Sequence, residues 1–147
     1  MTAPTGEFAP RTIELTRDDL IAYARASGDS NPIHLDDEAA RALGLEGVIA
    51  HGMLTWARVL AEVGDWAGSQ DAIVRSDVRF ARPVPVPADE PAVIELSARV
   101  KDPDPATGLV TLMLNAQVDG AKIYGKAAVT VRPRGDSDAG SSEENQA

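Results

Sequence analysis

The sequence predicts an α+β domain in which a curved antiparallel sheet wraps around one central helix. Three observations carry that expectation. Apolar residues recur at helical spacing in the first half, as in Leu20, Ile21, Tyr23 and Ala24. From Val74 onward the period changes to two, the mark of half-buried strands. Between these regimes Met53, Leu54, Trp56, Ala57, Leu60, Ala61 and Val63 are apolar on most sides of a helix, which predicts a buried rather than an amphipathic element. A lone buried helix needs a covering surface, and the inner face of the sheet is the large apolar one on offer.

In chain order, residues 1–10 carry prolines at 4 and 10 and no periodicity, and read as a flexible arm. Thr12–Leu15 suits a short strand. Thr16 offers an N-cap with Asp19 three residues later, a relative of the capping box, and Gly28 ends the helix that follows. The stretch Ser27–His34 holds a Gly and an Asn-Pro pair and is expected to be neither helix nor strand. Asp36 caps a short helix through Ala39, Ala40, Ala42 and Leu43, stopped by Gly44. Gly64 closes the buried helix, and residues 65–70 form a loop.

A strand around Val74, Val78 and Phe80 is followed by Pro83, Pro85 and Pro87, which exclude a central ladder. The next strand, 91–100, sets Ile94, Leu96, Ala98 and Val100 on one face. A turn-rich link, 101–108, leads to the alternation Val110, Leu112, Leu114, Ala116, Val118. Asp119-Gly120 is a type I′ hairpin signal, opening the last strand through Ile123, Gly125, Ala127, Val129 and Val131. These strands are expected to form an antiparallel meander. The chain thus divides into an arm (1–10), a domain (11–132) and an acidic tail (133–147), which beyond Pro133 has no apolar residue larger than Ala and is expected to be disordered.

Composition narrows the function. At 147 residues the chain is long enough for one sizeable core, and aromatics at 4% leave that core to aliphatic residues. Without cysteine, disulfides and thiolate metal sites are excluded. A net charge of −9 argues against nucleic acid as the main partner. No apolar run approaches the roughly 18 residues of a membrane span, and the start carries no basic, apolar export pattern. The expectation is a cytoplasmic protein without a membrane association.

One stretch concentrates chemistry. Ser27-Gly28-Asp29-Ser30-Asn31-Pro32-Ile33-His34 sets a carboxylate, a carboxamide and an imidazole on one rigid loop. A histidine, ordinarily near pKa 6.5, exchanges protons at neutral pH, and a carboxylate beside it orients it or shares a water. This is the composition of an acid–base loop. Asp29-x-Asn31 alone is more often an Asx-turn than a catalytic element. Asp29, His34, Asp36 and His51 have the right types for metal ligands, but Asp36 is better placed as a cap, and no metal or other cofactor is expected. His51 reads as a packing or hydrogen-bonding residue at the start of the buried helix, and Tyr23, Met53, Leu54 and Trp56 as packed residues.

The run from Tyr23 to His34, with Ala40 six residues on, resembles the signature of the MaoC-like, (R)-specific enoyl hydratase group of the hot-dog fold. Ile49-Ala50-His51-Gly52-Met53-Leu54-Thr55 is similar to the start of that family's central helix. The segments Val78-Arg79-Phe80, Val84-Pro85-Val86-Pro87, Arg99-Val100-Lys101 and Lys122–Ala127 resemble the catalytic (beta) subunit of actinobacterial (3R)-hydroxyacyl-ACP dehydratases. The likeness spans residues 11–132; the short stretch before it implies an abbreviated first strand.

That resemblance implies reversible dehydration of (3R)-hydroxyacyl thioesters, on ACP or CoA, to trans-2-enoyl thioesters, with no cofactor. Asp29 and His34 would be the catalytic pair and would grip one water. Asn31 and Pro32 would support the loop, and the backbone N–H of Gly52 would face the thioester oxygen. His51, Met53 and Leu54 would stand at the helix start or along one wall of an acyl pocket. For an anionic carrier, Arg75, Arg79 and Arg82 are the candidate basic patch, although they equally suit a solvated strand edge. The family pairs hot-dog units, which implies a homodimer or a heterodimer with a related subunit. A hot-dog thioesterase and a non-catalytic, acyl-binding subunit are the competing classes.

Overall fold

The structure, a computed structural model, describes residues 6–133. Strand β1 (Arg11–Leu15) leads into helix α1 (Arg17–Ser27), a single 3-10 turn (Pro32–His34) and helix α2 (Asp37–Ala42). The long helix α3 (Gly52–Ala67) and a second 3-10 turn (Gln70–Ala72) precede strands β2 (Ile73–Phe80), β3 (Ala92–Val100), β4 (Val110–Val118), β5 (Ala121–Lys122) and β6 (Tyr124–Val131). All strand pairs are antiparallel, in the order β1-β3-β4-β6-β2, with the short β5 beside β4. The expected α+β architecture is present. The meander is not simple: β3, β4 and β6 follow one another, but β2 lies at the far edge, against β6.

Local chemistry explains most element ends. Thr16 Oγ1 accepts from the Asp19 N–H at 3.2 Å and Asp19 Oδ2 accepts from the Thr16 N–H at 2.8 Å, a complete capping box built with Asp. Gly28 closes α1 at φ 78°, a left-handed conformation that costs glycine nothing. Asp119 (φ 51°) and Gly120 (φ 79°) supply the two positive φ angles of a type I′ turn. The β2–β6 pairing shifts register twice, first at Val74 and again near Gly125. Phe80 pairs with Tyr124 while Arg79 pairs with Lys126, so Gly125 is bulged out and both Ile123 and Tyr124 are buried.

Two expectations for α3 need correction. Gly64 does not end the helix, which continues to Ala67 and stops at Gly68, φ 90°. A side chain at position 64 would collide with the side chain of Gln70, which donates from Nε2 to the Ala61 carbonyl at 2.9 Å. Glycine leaves room for that bond, at a helix cost of about 1 kcal/mol. Nor is α3 buried all round. Leu54, Trp56, Val59 and Val63 join Ile13, Leu15, Ile94, Leu96, Leu112 and Val129 in one core, but Met53 is 55% exposed and Ala57, Ala61 and Asp65 follow it along the solvent face. The open sheet covers one side of the helix only. No helix among the described residues is long and apolar enough to cross a membrane.

The segment after β2 shows how its prolines are used. Val84 and Val86 are buried, and the Val84 carbonyl accepts from the Ala50 N–H at 2.8 Å while the Val86 N–H donates to Val48 at 3.0 Å. Pro83 and Pro85 face outward. This rib holds the approach to α3 in place. Within the expected arm, Phe8 is buried, packs on Trp66 at 6.1 Å and lies under the Arg11 guanidinium at 5.0 Å. The expected disorder of the tail falls on residues beyond the described ones.

Candidate active site

The loop after α1 is stiffened by successive side chain-to-backbone bonds. Ser27 Oγ accepts from the Asp29 N–H at 3.1 Å, Asp29 Oδ1 from the Asn31 N–H at 3.2 Å, and Asn31 Oδ1 from the Ile33 N–H at 3.2 Å. Asn31 thus bonds within the loop. Contrary to expectation, the loop includes one 3-10 turn, because Asn31 caps it and Pro32 brings a helix-compatible φ to its first position. The Asx-turn and the acid–base reading of Asp29 are compatible, since the turn occupies one carboxylate oxygen.

His34 is nearly buried, at 8% exposure, and its Nδ1 lies 2.7 Å from the Ile49 carbonyl. A carbonyl only accepts, so Nδ1 carries the proton and Nε2 presents the lone pair of the neutral ring. The Ile49 N–H returns a bond to the Ile33 carbonyl at 3.1 Å, lacing the loop to the approach of α3. His51 is deeper, at 2% exposure. Its Nε2 lies 3.1 Å from the Asp29 carbonyl, and its ring stacks on His34 with centroids 3.9 Å apart and planes 24° apart. Tyr23 meets His51 edge-on at 4.7 Å. Burial pushes the His51 pKa below the ordinary 6.5; the bond to Asp29 opposes this, and a charge on His34 pushes the same way as burial.

A donor atom from each of Asp29, His34 and His51 lies within 4.8 Å of the others. Stacked imidazoles aim their in-plane lone pairs side by side rather than at a shared point, which suits a hydrogen-bonded cluster better than a metal centre. Asp36 is elsewhere, accepting from the Glu38 N–H at 2.9 Å as a helix cap.

Gly52 is the first residue of α3, so its N–H is among the helix-start donors that have no intrahelical acceptor. A Cβ here would lie 3.1–3.2 Å from the Phe80 ring. Thr55 Oγ1 donates to the Gly52 carbonyl at 2.7 Å and receives the Tyr124 hydroxyl at 2.9 Å. Burial pushes the Tyr124 phenol up to about 12, against the bond to Thr55. Gly52, Thr55, Phe80, Arg82 and Tyr124 line a cavity of about 200 Å³. A second cavity of about 340 Å³ shares Arg82, Pro83 and Ile123 with it. The larger void of about 580 Å³, between Gly6–Phe8 and the end of β3, contains none of these groups.

The sequence-derived candidates therefore separate. Asp29, Asn31, Pro32, His34 and His51 come together, with Gly52 adjoining; Leu54 belongs to the core, while Met53 is exposed rather than packed. Of the three arginines, Arg75 is paired with Asp77 at 2.8 Å and Arg82 lines both cavities. Sequence reasoning missed Phe80 and the Tyr124–Thr55–Gly52 chain. It also missed Arg17, which bonds the Val86 carbonyl at 2.6 Å and Asp37 at 2.9 Å, while Asp37 holds the Val48 N–H at 2.9 Å. The polar Thr55 in an apolar helix was the available signal for the first.

Comparison with known proteins identifies relatives of the chain as a whole. The chain is 47% identical over 76 residues to 3-hydroxyacyl-thioester dehydratase X of Mycobacterium tuberculosis, covering 52% of this chain and 26% of that protein. It is 29% identical over 132 residues to the (R)-specific enoyl-CoA hydratase of Rhodospirillum rubrum, covering 88% and 89%. A solved MaoC-like dehydratase superposes with a TM-score of 0.82 at 40% identity, over 86% of this chain and 39% of that one. The chain thus spans about a quarter of the first relative (26%) and well under half of that solved chain (39%), but nearly all of the hydratase (89%). The MaoC like domain matches residues 2–114. With that match over most of its length and a hot-dog sheet and helix beneath it, the chain belongs to the MaoC-like domain family.

Proposed function

We propose that this protein catalyses the reversible dehydration of (3R)-hydroxyacyl thioesters to trans-2-enoyl thioesters. The observation that carries the proposal is the convergence of Asp29 and His34, on their stiffened loop, beside the Gly52 end of α3. In the hydration direction, water adds across C2 and C3. The Asp29/His34 pair takes a proton from the water that attacks C3 and returns one to C2, with His34 Nε2 presenting the free lone pair. The Gly52 N–H donates to the thioester oxygen as negative charge develops there, where the helix dipole adds to the effect. Dehydration runs the same steps backward, and the atoms balance without an added cofactor.

The cavity beside Gly52 has room for only part of an acyl thioester on CoA or ACP, and Arg82 on its lining is the candidate cation for a phosphate of the carrier. Pairing with a second hot-dog unit, its own copy or a related subunit, is supported by the outer edge of β2, where Val74 is 39% and Phe80 46% exposed. The deciding experiment is an enoyl-thioester hydration assay with stereochemical analysis of the product, run on the chain alone and with a co-expressed MaoC-like neighbour. The expected result is 3R product in at least one arm. Release of free thiol from a saturated acyl thioester would indicate a thioesterase instead, and acyl binding without turnover in both arms a non-catalytic subunit.

A further inference from the structure

We propose that His51 is a positioning residue, which ties Asp29 and His34 to the start of α3 by bonding the peptide of one and stacking on the ring of the other. The inference rests on the function proposed above and adds a residue to its machinery. Its first support is a mismatch. His51 occupies the N-cap position of α3, yet its side chain makes no capping bond, so it is not there to cap. Its second is an orphan. The Asp29 carbonyl can only accept, so the His51 proton sits on Nε2; Nδ1 is then an acceptor, buried and without a partner among the described residues. Burying an unpaired acceptor is costly, and an apolar ring would avoid that cost. What an apolar ring lacks is the donor that reaches Asp29.

The geometry shows what is gained. The bond from Nδ1 to Ile49 at 2.7 Å fixes one edge of the His34 ring, and the stacked His51 ring at 3.9 Å fixes its plane. Together they set the direction of the His34 Nε2 lone pair. The same imidazole holds the Asp29 carbonyl, so the spacing between carboxylate and base follows from one buried ring. The titratable groups facing His51 are Asp29, His34 and Tyr23. Burial and the neighbouring His34 both disfavour a proton on Nδ1, which also has no acceptor to receive it. Both effects favour a neutral His51 while the site exchanges protons.

The chain contains two histidines, so imidazole ¹⁵N–¹H spectra can follow each one. At pH about 6.5, where an ordinary histidine is half-protonated, His51 is expected as the neutral Nε2–H tautomer. The neutral His34 is expected as Nδ1–H. In His51→Ala the His34 tautomer preference should be lost, and hydration kcat should fall about 10- to 100-fold with KM within about threefold. His51→Phe keeps the flat face and His51→Gln restores a donor; each should recover part of kcat, and either serves if the alanine variant does not fold. Wild-type kcat in a folded His51→Ala, or in both His51→Phe and His51→Gln with no change at His34, overturns the inference. So does an Nδ1–H tautomer for His51. A wild-type protein inactive in both assay arms would sink the proposed function, while the His34 tautomer in the variants would still decide the positioning.

Discussion

Asp29→Asn is the most selective probe of the loop. The amide keeps an oxygen that can accept from the Asn31 N–H, so the bond at 3.2 Å survives while the charge is removed. The expected outcome is a loss of about a hundred- to ten-thousand-fold in hydration kcat with an unchanged melting temperature, and His34→Ala should lose as much. Gly52→Ala tests the other end of the site. Its Cβ would stand 3.1–3.2 Å from the Phe80 ring, forcing a shift beside the N–H proposed to serve as oxyanion donor. About a tenfold fall in kcat is expected, with partial recovery when Phe80→Leu is added. The residues easiest to bring together from sequence were those close in it: Asp29 and His34 share one loop, and the structure sets them in one cluster. Thr55 and Tyr124 are separated by 69 positions, and their 2.9 Å bond exists only once β6 has folded against α3. Nothing in a single sequence announces such a pair.

Among the elements, α1, α2 and the strands were legible because caps and alternation are local signals. The end of α3 was not, since Gly64 looks like a stop until Gln70 folds back over it. The approach to α3 depends on the Arg17–Asp37 clip, which joins α1, α2, Val48 and Val86. Asp37 has its pKa lowered, first by the Val48 N–H and then by Arg17. A depressed folded-state pKa means that the stabilisation is complete above the unfolded value, 3.8, and is lost as pH falls through the lower folded value. Asp37→Ala should therefore lower the melting temperature at neutral pH and flatten the acid limb of the stability curve below about pH 4. An acid limb as steep as in the parent would assign that limb to other carboxylates.

At the scale of the whole molecule, the sheet is open, and β2 ends it with an unpaired edge carrying exposed Val74 and Phe80. Exposed strand edges invite pairing, and a charge on one discourages it. Val74→Lys is expected to shift the protein toward the single chain in sedimentation velocity, with the hydration assay falling in step if the neighbouring unit completes the pocket.

The proline rib after β2 is itself protected against further pairing. Val84 and Val86 turn their hydrogen-bonding groups toward residues 48–50, so the intervening position 85 faces the opposite edge, where proline offers no N–H. A strand built this way can be joined from one side only. The rib lies outside the main sheet, whose edges are β1 and β2, so its proline keeps a further strand off the approach to α3 and leaves pairing to the edges of the sheet itself.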